Sequence, residues 1–498
     1  MDSKQKVLVI GAGIGGLTTA ICLAKKGFEV TVVEKNPGPG GRCGQLWHEG
    51  HRFDLGATML LMPNVYRQVF DAAGIDFDST LRAVPLHELY RLYFDDGSQL
   101  SFTTDEKKME AQLEAVEKGS FKMSEKYVKE GYRFYSIASD NLIGRNFLNI
   151  FQFATLKNLS MLLKLKVHLT HQQYIQRFFR DPHLQMAYTF QNIYVGQSPF
   201  DSPAFFSMIP AIELKEGSFF PEGGIFKVVE TLKTEADKCG IKFLFDTEVS
   251  SINVNGKVAR NISLSTGEIL DADIIVANAD LPYVYKNLLP DRRMARRFDS
   301  KKYSCSAMVF HWGLDKKFPQ FAHHNVFLSD TFRTGLRVIF RDKAADPNPS
   351  FYVHAPSRSD PAAAPKGCDT LSVIVGIGHL DESKDQDWNA YRKMTREAVL
   401  RRLSEAGMPD LEEHISHEIC YNPGTWESVY NVTKGSVFGS LSHSLLQMGY
   451  FRPHNRHRKY RNLYFTGGST HPGNGIPLVL LSAKLTSERI LLENKGKE

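Results

Sequence analysis

The first informative pattern is an apolar run, Val7 to Ile10, that stops at Gly11, followed by a second run over Val30 to Val33 that stops at Glu34. Unbroken apolar runs of this length suit strands buried on both faces of a parallel sheet. Residues 6–36 therefore read as strand, glycine turn, helix and strand, a βαβ unit. From about Asn64 to Gln185 the pattern turns helical and mixed in charge, which predicts a different domain. Strand signals return over 242–280, with turns at Asn255-Gly256 and Thr266-Gly267 and the apolar stretch ADIIVANA at its end. After Leu281 a second long insertion runs to about Arg458. NLYFTGGST then supplies one more strand ending in glycines, and a helix from about Leu478 closes the fold. No repeat of solenoid length interrupts this order. The expected division is a first domain built from 1–63, 241–280 and 459–498, interrupted by a substrate and membrane-associating insertion at 64–240 and a substrate-binding insertion at 281–458.

Composition narrows the class without naming it. The 498 residues are 42% hydrophobic and 23% charged, ordinary for a globular chain with two or three cores. A net charge of +6 is dispersed along the chain, which argues against nucleic acid as a partner. The six cysteines (Cys22, Cys43, Cys239, Cys305, Cys368 and Cys420) form no CxxC pair and read as reduced thiols of a cytoplasmic protein. The N-terminal run is too short for a signal peptide, and no window of eighteen apolar residues predicts a membrane span.

The chemistry begins at the first turn. Gly11, Gly13 and Gly16 form GxGxxG between strand and helix, which lets the backbone turn tightly, approach a pyrophosphate and aim the helix N-terminus at it. Glu34, eighteen residues after Gly16 at the end of the second strand, can accept hydrogen bonds from a ribose. NAD and FAD both use this unit, and the following residues separate them. Gly40-Gly41-Arg42 follows Glu34 after five intervening residues, and RFDLGAT occupies 52–58. In this the chain resembles the glutathione-reductase-like flavoproteins, whose extended fingerprint is GxGxxG, Glu, GGR and D-x-G. The resemblance implies FAD, with Gly41, Arg42 and Gly56 along its pyrophosphate and ribityl chain and Lys35, Ala57 and Thr58 beside them. Near the other end, Gly467 and Gly468 precede STHPGNGIP, where glycines at a strand end and a helix starting near Ile476 and Pro477 bring backbone N–H groups to the flavin ring. Gly473 and Gly475 permit the close approach. Val249 and Asn278 are expected beside the adenine or ribose.

A narrower resemblance follows from FRPHN (451–455) and THPGNGIP (470–477), together with DLGATMLLMP (54–63), FQNIYVG (190–196), FFPEGGIFKV (219–228), YSCSA (303–307) and AHHN (322–325). In order and spacing these are similar to the carotenoid desaturases, the phytoene and 4,4'-diapophytoene desaturase group. The implied fold is α/β, a Rossmann-like FAD-binding domain of the GR2 type with an inserted mixed α+β substrate domain and a helical membrane-associating region. The implied reaction removes two hydrogens from a long polyene, a hydride passing to the flavin and a proton leaving the neighbouring carbon, with oxygen or a quinone as final acceptor. A terminal-methyl oxygenase or a polyene isomerase would share these motifs. A prenyl-binding escort protein would share the architecture without flavin, but has no use for the GGR and THPGNGIP segments.

Such a substrate requires an apolar tunnel and access to a bilayer. Residues 141–170 hold Arg145, Lys157, Lys164 and Lys166, no acid after Asp140, and many large apolar side chains. They read either as a segment lying in an anionic membrane interface of the cytoplasmic membrane or as a buried helix pair. His471 sits inside the flavin loop and is the candidate for proton transfer, against a plain loop-shaping role. Glu213 reads as a carboxylate near the tunnel or, by preference, as a surface carboxylate. The pairs His48/His51 and His414/His417, and the doublet His323-His324, lack a metal-ligand pattern and predict no metal site.

Overall fold

The computed structural model describes residues 4–494. Five short strands build a parallel sheet in the order Leu463–Phe465, Ile274–Ala277, Lys6–Ile10, Glu29–Val33, Lys242–Leu244. Their apolar runs are continuous because both faces are covered. Val7, Val9, Val32 and Val276 pack under the helices Ile14–Ala24, Lys227–Lys238 and Ile476–Asn494. Leu8, Ile10, Ile275 and Ala277 face a core shared with the three-stranded sheet Val249–Asn255, Val258–Leu264 and Ile269–Asp271. Parallel neighbours cannot be joined by tight turns. The chain uses two of the obligatory crossovers to house its insertions.

Those insertions are not two domains. A seven-stranded sheet runs Ile415–Tyr421, Ser306–Leu314, Asp369–Ile377, Phe351–His354, His324–Leu328, Glu88–Phe94, Gln99–Thr103, so strands from 64–240 and 281–458 share one ladder. The junction is a parallel pairing, Asn325 opposite Arg91 through Leu328 opposite Phe94. The other predicted boundaries also move. The helix Pro63–Ala72 spans the cut expected at 64, and Val65, Tyr66, Val69 and Phe70 belong to the first core, as do Phe220, Val228 and Leu232. Leu281, Val284 and Leu288 fill the second face of the parallel sheet, beyond the cut at 280. Apolar patterning marks which residues are buried but not which core they enter.

A helical layer stands beside the seven-stranded sheet. Its longest helix, Ser120–Ala138, packs against Met208–Glu216 with Gly131 at the crossing, where an added Cβ would lie 2.5 Å from the Ser207 carbonyl oxygen and 2.7 Å from the Ala211 Cβ. Small residues at a crossing let helices approach closely. In an exposed helix interior, alanine for glycine gains roughly 0.5–1 kcal/mol. Here Gly131→Ala is expected to reverse that sign, lowering the urea midpoint of unfolding, and a rise in midpoint would contradict the crossing.

Candidate active site

The glycine turn is shaped by contact rather than by flexibility alone. Gly11 has φ +97°, and a Cβ on Gly16 would lie 2.1 Å from the Gly11 carbonyl oxygen, so strand and helix pack backbone to backbone. Asn278 completes the turn: its Nδ2 donates to the Gly11 carbonyl (3.2 Å), and a Cβ on Gly15 would come within 2.6 Å of its Oδ1. Glu34 is buried at the strand end, with one oxygen accepting from the Ala12 N–H (2.8 Å) and the other from the Asn36 N–H (3.0 Å). Oε1 also accepts from Asn36 Nδ2 (2.9 Å), which leaves Oε2 with the free lone pair for a ribose. Gly56, at φ +149°, would place a Cβ 2.0 Å from the Arg42 carbonyl oxygen, so the GGR turn and DLGAT are locked together. Arg42 donates to the Val437 carbonyl (2.5 Å), and Lys35 spends its ammonium on the Ser428 carbonyl and the Asn431 side chain (2.9 Å each).

The C-terminal loop is held from beneath by FRPHN, a motif whose role the sequence left unread. Buried Arg452 donates to the Thr470 carbonyl (2.9 Å) and the Gly468 carbonyl (2.5 Å), and Asn455 Nδ2 to the His471 carbonyl (3.1 Å) and Thr486 Oγ1 (2.9 Å). Burial pushes the Arg452 guanidinium down to about 9. Asp280 ties the next layer, accepting from Ser440 Oγ (2.5 Å) and the Thr433 N–H (3.1 Å). None of these residues carries a dinucleotide signature. Only the density of polar residues in an otherwise apolar region points to them.

These turns enclose one cavity of about 810 Å³. Its walls include Gly11, Gly13, Glu34, Lys35, Gly41 and Arg42, then Gly56, Ala57, Thr58, Val249 and Asn278, and at the far side Gly467, Gly468, Gly475, Ile476 and Pro477. Gly16 and Gly473 lie off the wall, and Gly16 serves strand–helix packing. Asn278 reaches the wall, but its amide is occupied by the glycine turn. The glycine cradles, the pinned carboxylate and the helix N-terminus together fit a flavin dinucleotide. The same cavity continues between the seven-stranded sheet and the helical layer, where Phe190, Leu328, Phe332, Leu336 and Ile339 give it apolar walls.

Three polar side chains need separate notice. His471 lines the cavity, but its Nε2 lies 2.9 Å from the Arg145 carbonyl and burial pushes its pKa down to about 4. That bond supports the loop-shaping role. His443, which sequence reasoning missed, lines the cavity buried, with both ring nitrogens lacking a protein partner. Glu213 is no surface carboxylate: it is fully buried, neither oxygen meets a partner of good geometry although Tyr90, Gln191 and Tyr194 surround it, and burial pushes its pKa up to about 8. The histidines pair across the fold rather than along the sequence. His48 and His417 come together with Glu49 at the surface, and His323, His324 and His354 converge in the interior.

Comparison with known proteins agrees with this geometry. Residues 14–491 match the model of the flavin containing amine oxidoreductase family. The chain is 36% identical to a phytoene desaturase of Fusarium fujikuroi over 519 residues, spanning 100% of this chain and 91% of that protein. It is 33% identical to a 4,4'-diapophytoene desaturase (4,4'-diaponeurosporene-forming) of Staphylococcus aureus, spanning 98% and 99%. Among solved structures, wild-type putrescine oxidase bound to putrescine superposes with a TM-score of 0.66 at 14% identity, over 98% of this chain and 99% of that one, a likeness of fold.

Two outcomes follow. Gly56→Val is expected to weaken flavin binding at least tenfold, about 1.4 kcal/mol, read as the flavin-to-protein absorbance ratio of purified protein. A variant as yellow as the parent would refute the cradle. Burial holds Glu213 up at about 8 in the folded state against its ordinary value of 4.5. The folded state therefore holds the proton more tightly, and Glu213 draws stability down as pH rises through that window. Glu213→Gln should flatten the decline in urea midpoint between those two pH values, and an unchanged slope would contradict the assignment.

Proposed function

The chain belongs to the family of flavin containing amine oxidoreductases, and within it we propose that it is a carotenoid desaturase of the phytoene or 4,4'-diapophytoene type, holding FAD in a GR2-type domain. The observation that carries this reading is the continuity of one cavity from the glycine cradle into an apolar tunnel, in a chain alike over its full length to such desaturases. Bound flavin supplies an acceptor for two electrons from an unactivated C–H bond. The protein's share is to hold the polyene in register beside that acceptor and to keep water away. Phe332, Leu336 and Ile339 on one side and Phe190 and Ile193 on the other line such a slot. Oxygen or a quinone serves as final acceptor.

We further propose that residues 145–164 dock the mouth of the tunnel on the cytoplasmic face of the cell membrane. Among the described residues no helix is long and apolar enough to cross a bilayer. A buried helix pair does not fit the exposures: Phe151 is 82% exposed, Leu156 88%, Leu159 58% and Leu163 62%. The three leucines share one outward face of the helix Leu156–Lys164, while Asn158 and Met161 turn inward. Arg145, Lys157 and Lys164 are exposed beside them. Lys166 is not part of this surface, because its ammonium pairs with Glu130 (2.9 Å). Phe153 and Leu162 of the same segment, with Leu446 and Phe451, line the cavity, so patch and tunnel are contiguous. Each leucine or phenylalanine leaving water gains roughly 1.5–3 kcal/mol, which suits reversible interfacial binding.

Adding phytoene or diapophytoene in liposomes to the anaerobic holoenzyme should bleach the flavin and raise a red-shifted polyene absorption, and a quinone should sustain turnover without oxygen. No bleaching, or a product that has gained oxygen, would refute the desaturase. In flotation with anionic liposomes, Leu156→Glu combined with Leu159→Glu should cut binding at least tenfold, as the loss of two buried leucines requires. Undiminished flotation would refute docking through this face.

A further inference from the structure

The cavity wall that holds Thr58 and Tyr352 is connected to the interior by a line of polar groups that the binding of flavin or polyene does not use. Tyr352 Oη donates to Thr58 Oγ1 (2.8 Å) and lies 2.6 Å from His324 Nδ1. Both Thr58 and Tyr352 line the cavity. Behind them His323, His324 and His354 each offer a nitrogen to a common point, all within 4.8 Å of one another. His354 Nε2 and His323 Nε2 are 3.1 Å apart, and His323 Nδ1 is 2.8 Å from Ser359 Oγ, which is half-buried at the far end. His324 Nε2 and His354 Nδ1 are buried without a protein partner. One nitrogen of each ring lies within 4.8 Å of the other two, a separation one water can bridge, and a polar site with two to four partners is where buried water is held.

We propose that Tyr352, His324, His354, His323 and Ser359 form a proton-release path from the reaction cavity to the protein surface. The inference rests on the desaturase reading. Forming one double bond breaks a C–H bond on each of two adjacent carbons. One hydrogen leaves with its electron pair to the flavin, the established two-electron acceptor. The other leaves as a proton, and its electron pair becomes the new π bond. In a tunnel lined by phenylalanine, leucine and isoleucine that proton meets no solvent base. The Tyr352 hydroxyl touches both sides: it donates to Thr58 at rest and turns to donate to His324 Nδ1 as it takes up the substrate's proton. His324 then releases its Nε2 proton toward the His354–His323 pair, and Ser359 passes one to water. Burial holds all three imidazoles neutral, His323 down to about 3 and the other two well below their ordinary value. They therefore carry a proton only in transit. Three imidazoles are also a zinc-ligand set, but among the described residues no carboxylate joins them, and the Arg52 guanidinium near His354 is already paired with Asp360 (2.8 Å). A dication there would be buried without compensation.

The test uses flavin-loaded holoenzyme with phytoene or diapophytoene liposomes, comparing wild type with Tyr352→Phe and His324→Phe, and with His354→Gln as the variant least disturbing to packing. In single anaerobic turnovers in weak buffer, bleaching and an external pH-indicator dye are followed together. Wild-type proton release should keep pace with bleaching. The variants should retain flavin content and melting temperature, bleach roughly 10²-fold more slowly, show an enlarged solvent deuterium isotope effect, and release protons after a lag. Wild-type rates and isotope effects in two folded variants would overturn the path, as would stoichiometric metal in wild type that is lost in His354→Gln. If wild type fails to bleach with either polyene, the desaturase reading falls and the path falls with it.

Discussion

Three backbone turns must lie almost in contact at the C-terminal edge of the parallel sheet, and Asn278 occupies the point where they meet. Its amide binds the Gly11 carbonyl, its Oδ1 would be 2.6 Å from a Cβ on Gly15, and the same atom would be 3.0 Å from one on Gly467. Any side chain at those glycines would force the first turn and the last loop apart. The cavity between them is therefore a consequence of close packing, and its width is fixed by what the glycines omit. Residues some 450 positions apart in sequence form one wall because each comes to the edge at the end of a neighbouring strand.

Holding that edge together requires polar groups far from water. Arg452 is buried against carbonyls, and Asp280 accepts a backbone N–H and a hydroxyl. Each would be costly if unpaired, and each is satisfied by the loop it fixes, so loop geometry and charge burial stabilise one another. This coupling explains why a glycine-rich loop, which should be mobile on composition alone, can serve as a rigid wall. Burial alone pushes the Arg452 guanidinium down to about 9, and the carbonyl bonds act against that shift by favouring its charged form.

The parts of this arrangement legible in the sequence are the local ones. The βαβ unit could be read because strand, turn and helix follow within thirty residues and each leaves its own pattern. The final strand and helix were legible for the same reason, as was the basic, apolar character of 141–170. The pairing of Asn325–Leu328 with Arg91–Phe94 left no local trace, so one sheet was read as two domains. Glu213 sits in an apolar stretch, IPAIELKEG, whose helix turns it inward, and no periodicity over nine residues distinguishes that from outward. Lys166 looked equivalent to Lys164 until the chain turned between them and brought it to Glu130. Asn278 was expected beside the nucleotide and lines the cavity, but its amide answers to the turn.

The two most unusual features of the cavity are consequences of a single demand. A long apolar substrate is insoluble, so the tunnel must open where the substrate already resides, and the mouth bears exposed leucines and phenylalanine that water would not favour. The same dryness that admits a polyene removes every solvent acceptor from the reacting carbons. Chemistry that separates a proton from two electrons then needs a polar strip along one wall. Tyr352 provides its inner end, because it lines the cavity and its hydroxyl touches both Thr58 of DLGAT and a buried imidazole in the seven-stranded sheet. The sheet that joins the two insertions thereby does more than support the tunnel: the pairing of His324 with His354 across neighbouring strands sets the imidazoles side by side.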